Sequence, residues 1–144
     1  MNARTELLRQ AAELISADGN VCPMPFIVLR GDHATVGMAA EIGLLVGVVR
    51  DAVEDPSVTA IAFGFDRYTK PDQGTSRSSV YTYAVGRVGQ APVYGFIPYD
   101  DESREADPPN EEPTSFWNER AAAEILHIVP DWHRFHGAEE ASDA

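Results

Sequence analysis

Between residues 58 and 99 lie three strand-like runs rich in aromatic residues, and in the first two the side chains alternate with a period of two. In 58–65, Ile61, Phe63 and Phe65 share one face, and Ala60, Ala62 and Gly64 share the other. In 79–88, Tyr81, Tyr83 and Val85 stand opposite Val80, Thr82 and Ala84, and 93–99, with Tyr94, Phe96 and Tyr99, is a third run of the same kind. Successive side chains of a strand point to opposite faces, so three strands are expected here. The last two are joined by GRVGQAP, in which Gly89 and Pro92 mark a tight hairpin. The first two are separated by DRYTKPDQGTSRS, residues 66–78, a stretch longer than a purely structural connection needs.

Upstream the period changes. Leu7, Ala11, Leu14 and Ile15 recur at helical spacing over 5–17, and Asp18-Gly19-Asn20 supplies the stop. Pro23 and Pro25 then fence a short apolar run, 26–29, which reads as a buried strand ending at Arg30-Gly31-Asp32. A second helix is expected from about Val36 to Glu54, with Met38, Ile42, Leu45, Val49 and Val53 as its apolar stripe. Ala40, Gly43 and Gly47 form a separate ridge of small residues. A helical Gly costs roughly 1 kcal/mol relative to Ala, so the ridge points to close approach by the first helix or by a partner subunit. Downstream, Thr114 or Ser115 can cap a third helix over 116–128, which Pro130 interrupts.

The expected order is therefore α-β-α-β-β-β-α. The strand at 26–29, the second helix and the strand at 58–65 would form one βαβ unit with parallel pairing, and the remaining strands an antiparallel meander. This is an α/β chain of α+β-like character, with a mixed sheet of about four strands and helices packed on it. At 144 residues it is expected to be one globular domain over 1–137, followed by an acidic disordered tail at 138–144.

The net charge of −12 is concentrated. Residues 100–112 hold seven acids against Arg104 and the tail after 136 adds three more, leaving about −3 for the rest. The acidic loop, about 100–113, is expected to be solvated and disordered. A near-neutral body has no basic face to neutralise phosphates, which argues against nucleic acid as a partner. For the same reason the strand aromatics are read as core or as a protein interface, not as a base-stacking platform. The lone Cys22 rules out an internal disulfide, the first residues do not read as a secretion signal, and the longest apolar run, 42–49, is too short for a bilayer. A soluble cytoplasmic protein without membrane attachment is expected.

Residues that could carry chemistry are few. Arg67, Tyr68, Lys70 and Arg77, with Arg87 nearby, form the densest basic group and could hold a small anion. Glu41 lies beside apolar residues, where a buried carboxylate would need a partner or a raised pKa; its place near the first turn of the second helix, favoured by the helix dipole, points instead to partial exposure. Near the C-terminus His127, Asp131, His133 and His136 supply metal-ligand types, but without a recognised metal-binding spacing. Trp132 and Phe135 are expected to dock that end on the core while the histidines face water. No nucleophile elbow, Cys–His arrangement or clustered acid pair is present.

The expectation that follows is a non-catalytic protein without a cofactor, acting by binding a protein partner or by self-association as a homodimer. Ala40, Gly43 and Gly47 are its candidate interface. The alternative is a small-anion binder or an enzyme using the 66–78 loop, and a third reading uses the C-terminal histidines to bind metal.

Overall fold

In a computed structural model of the chain, Gly31 and Asp32 turn the backbone where the sequence suggested only the end of a strand. The structure describes residues 2–17, 24–68, 78–100, 103–111, 122–123, 125–130 and 132, with the backbone alone at 66–68 and 78–79. Strand β1, Met24–Arg30, runs into the two-residue link and returns as β2, His33–Ala39, paired residue for residue from Arg30 with His33 to Met24 with Ala39. Gly31 has φ 61°. A two-residue hairpin with glycine first requires that left-handed conformation, which other residues adopt at a cost.

The hairpin corrects two expectations. Residues 36–39, expected as the first turn of a helix, belong instead to the strand His33–Ala39, and α2 begins only at Ile42 and runs to Glu54. The chain enters β3, Ala60–Tyr68, from the opposite direction to that expected, so β1 and β3 pair antiparallel and there is no parallel βαβ unit. With β4, Ser78–Arg87, and β5, Val93–Asp100, the sheet has five antiparallel strands in the order β2-β1-β3-β4-β5. Helices on a sheet, in an α+β arrangement of nearly the expected strand number, remain. The β4–β5 hairpin forms as expected, with Gly89 at φ 79°.

The sheet is covered on both faces. Helix α1, Ala3–Ser16, is capped by the Asn2 side chain, which accepts the Thr5 N–H at 3.1 Å. It buries Ala3, Leu7, Ala11 and Ile15, four residues apart, against Ile27, Leu29, Ala60, Ala62, Tyr81, Tyr83 and Val85. On the other face Leu45, Val49 and Ala52 of α2 join Val28, Ile61, Phe63, Phe65 and the C-terminal residues Ile125, Val129 and Trp132. The two helices thus belong to different layers, and the small ridge of α2 does not meet α1. A Cβ placed on Gly43 or Gly47 would touch nothing within 4 Å.

Three strand glycines have a different purpose. The Phe26 ring lies over Gly37, the Tyr81 ring over Gly64 and the Tyr83 ring over Gly95, each so close that an added Cβ would be 2.4–2.6 Å from the ring. Large rings on one strand fill the space their neighbours leave empty. Residues 122–123 and 125–128 are helical, while the expected start of that helix at 116 lies outside the described residues. Trp132 is fully buried, meets Phe63 edge to face at 5.1 Å and 87°, and donates its indole N–H to the Tyr94 hydroxyl at 2.9 Å. Trp132 therefore docks as expected; Phe135 is outside the described residues.

Removing that anchor should loosen one layer. Trp132→Ala is expected to lower the unfolding free energy by about 3–5 kcal/mol in urea denaturation. Trp132→Phe, which keeps a ring but loses the bond to Tyr94, should cost less.

Candidate interaction site at the sheet edge

The two edges of the sheet are treated differently by the rest of the chain. Along β5, residues 103–111 fold back as a strap, with isolated bridges from Phe96 to Asn110 and from Tyr99 to Ala106. Backbone bonds from Asn110 N–H to Phe96 O at 2.9 Å and from Asp107 N–H to Pro98 O at 2.8 Å fix it there. These acids were expected in a disordered loop; instead their backbone closes the edge. Arg104, with φ 62°, places its guanidinium 5.3 Å from the Tyr99 ring centre and donates to the Ile15 carbonyl at the end of α1 at 2.9 Å. At the other end of α1, Arg4 grips Glu111 with Nε to Oε2 at 2.7 Å and Nη2 to Oε1 at 2.8 Å. The buried Tyr83 hydroxyl donates to the same carboxylate at 2.5 Å.

Those contacts shift the groups in opposite senses. Burial works against the Glu111 carboxylate, but the bonds from Arg4 and Tyr83 outweigh it and hold its pKa below the ordinary 4.5. Burial, and then the Glu111 carboxylate, push the Tyr83 phenol well up. The strap is thus clipped to both ends of α1, and its acids are in part structural.

The β2 edge has no such cover among the described residues. Among the described residues no backbone bond reaches its outer side. In a two-residue hairpin Arg30 and His33 form the first hydrogen-bonded pair, and such pairs then alternate along the ladder. The N–H and C=O groups of Ala34, Val36 and Met38 therefore point away from β1. Val36 and Met38 are 42% and 47% exposed: α1 lies chiefly over β1 and β3, and Ala34 is the residue of β2 that packs against its layer. His33 is the one ionisable residue of the strand, and no Lys or Pro blocks it.

Beside this edge, on the α2 side of the sheet, lies a groove of about 280 Å³ with Phe26 and Val28 as its floor and Val48 and Ala52 as its wall. Arg30, Thr35 and Asp51 form its mouth. Arg30 donates to Asp55 at 3.0 Å and more weakly to Thr35 at 3.4 Å. The Ser57 hydroxyl and N–H, and then Arg30, lower the Asp55 pKa to about 2. Helix α2 presents Ile42, Gly43 and Leu44 to solvent above, with Leu44 57% exposed.

The residues singled out from sequence are scattered. Ala40, Gly43 and Gly47 lie at and after the end of β2, Ala40 and Gly43 exposed and Gly47 half-buried. Glu41 is exposed and precedes the first turn of α2, its carbonyl accepting from Leu44 and Leu45 at 3.1 and 3.3 Å. The buried carboxylate considered for it is not present. Arg67 and Tyr68 end β3 as backbone, and Lys70 and Arg77 lie outside the described residues. Arg87 is exposed at the end of β4 opposite Ser78 and is paired with Ala60. His127 is exposed, and Asp131, His133 and His136 lie outside the described residues. Among those described, no three His, Cys, Asp or Glu side chains converge to hold a metal ion. Nor, among them, is any helix long and apolar enough to cross a membrane. The sequence signal that could have found β2 was the pair Gly31-Asp32, a hairpin dipeptide between two β-prone runs. No protein-family model, curated protein or solved structure matches the chain.

Two pH-dependent losses are expected. Glu111→Gln should cost about 1–2 kcal/mol at neutral pH. Because the folded pKa is lowered, that difference from the wild type should persist down to the ordinary glutamate range and shrink as pH falls through the folded value. Asp55→Asn should show the same sign, its deficit persisting below the unfolded value near 3.8 and disappearing toward about 2. Urea titrations at stepped pH check both.

Proposed function

We propose that this is a non-catalytic binding protein whose partner adds a strand to the open edge of β2. The single observation that supports it most is the contrast between the edges: one is closed by the chain's own strap, and the other offers Ala34, Val36 and Met38 to a partner. Strand addition draws affinity from main-chain bonds and specificity from alternate side chains. Here the alternate side chains are exposed and apolar on one face, and Thr35 beside the Phe26 groove on the other. A cytoplasmic setting belongs to the same proposal, on composition.

Proline at Val36 tests it. Val36 is opposite Ile27 in a non-hydrogen-bonded pair, so Val36→Pro removes an outward N–H and leaves the β1–β2 ladder intact. The probes are short uncharged peptides rich in Val and Thr, and raised concentrations of the protein itself. Association with one of them should slow amide exchange at Ala34, Val36 and Met38, and Val36→Pro should weaken it about tenfold or more with little change in Tm. Unchanged exchange at all three amides under every probe, or binding that survives Val36→Pro, overturns the reading.

A further inference from the structure

Resting on that strand-addition reading, we infer that the partner at the β2 edge is a second copy of this chain, paired antiparallel about a twofold axis at Val36. Val36 is the central residue of β2, His33–Ala39, so this register pairs all seven residues of the strand with their counterparts. Val36 faces Val36 of the other copy, and Ala34 faces Met38. These are the residues whose N–H and C=O groups point outward, so each pair exchanges two hydrogen bonds and no outward group of the three is left over. A register shifted along the strand would leave some of them unpaired.

The side chains agree with the backbone. On the α1 side, where Ala34 is half-buried against that layer and Val36 and Met38 are exposed, the larger Met38 meets the smaller Ala34, and valine meets valine at the axis. On the other face Thr35 meets Gly37, whose missing side chain is replaced by the Phe26 ring. The contact is self-complementary in size, as a twofold interface must be.

Charge allows the same pairing despite the net −12. The strap acids Glu105, Asp107 and Glu111 lie beyond β5, four strand spacings from β2, or about 19 Å. From the axis that is nearly two screening lengths at about 0.1 M salt, so the strap acids of two copies hardly meet; nearer the seam, exposed Asp32 of one copy approaches exposed Glu41 of the other, a like-charge contact that solvent weakens. The β2 residues themselves carry only His33, and nothing in them selects a charged partner.

The test uses the full chain. Sedimentation velocity across micromolar concentrations should show a dimer, and Val36→Lys, which sets two ammonium groups face to face on an exposed site, should weaken it about tenfold or more with unchanged circular dichroism. In a Cys22→Ser background, Val36→Cys should oxidise to a linked dimer, since a hydrogen-bonded pair has Cα atoms about 5.5 Å apart. Ala34→Cys or Met38→Cys alone should not link, being more than about 13 Å from its own copy, whereas the two variants mixed should. A monomeric wild type, or links in another register, overturns the second copy while leaving strand addition to stand or fall by the Val36→Pro probes. A dimer unaffected by Val36→Lys likewise overturns the second copy at β2, because association then lies elsewhere.

Discussion

Everything in this fold follows from burying both faces of β3. Ile61, Phe63 and Phe65 on one side and Ala60, Ala62 and Gly64 on the other are all buried, so neither face can be left to water. The bulky face needs a thick cover, which α2 and the Trp132 segment provide. The small face lets another layer come close, and α1 approaches with its own alanines, Ala3 and Ala11, while Tyr81 and Tyr83 fill the space between. Three layers result, and α1 and α2 cannot share one, because each is committed to an opposite side of the same strand.

A covered sheet still has edges, and the chain resolves only one of them itself. The strap at 103–111 contributes backbone bonds to β5 and is fastened through Arg104 and Glu111 to the two ends of α1. Composition made the acidic stretch look like a solvating loop; its partners make it part of the frame. The same charge keeps other strands from that side. At β2, among the described residues, there is no strap and the strand itself holds no acid, and association at that side is the consequence proposed above.

The legible parts of the sequence were those governed by local period. The alternation in β3 and β4 and the four-residue spacing of Leu7, Ala11 and Ile15 were readable because each residue's face is fixed by its neighbours in the chain. The segment 33–39 was not, because Met38 continues the helical stripe of Ile42 and Leu45 as readily as it fits a strand, and only pairing with β1 selects the strand. Glu41 was readable as an exposed residue near the start of a helix as well as a buried carboxylate, and it is exposed because the helix starts there. Arg87 looked close to the 66–78 loop because it is near in sequence, yet a ten-residue strand carries it to the far end of the sheet.

By itself, then, the sequence determined that three tracts would be strands rich in rings, that α1 would present one apolar face, and that Trp132 would dock. These are consequences of side-chain periodicity and of removing apolar surface from water, and both act over a few residues. The tertiary structure alone decided that β1 and β3 run antiparallel, that α1 and α2 occupy opposite layers, and that the acidic strap closes one edge while β2 leaves the other open. Those outcomes depend on which backbone groups find partners across the chain, a requirement that no local stretch of residues encodes.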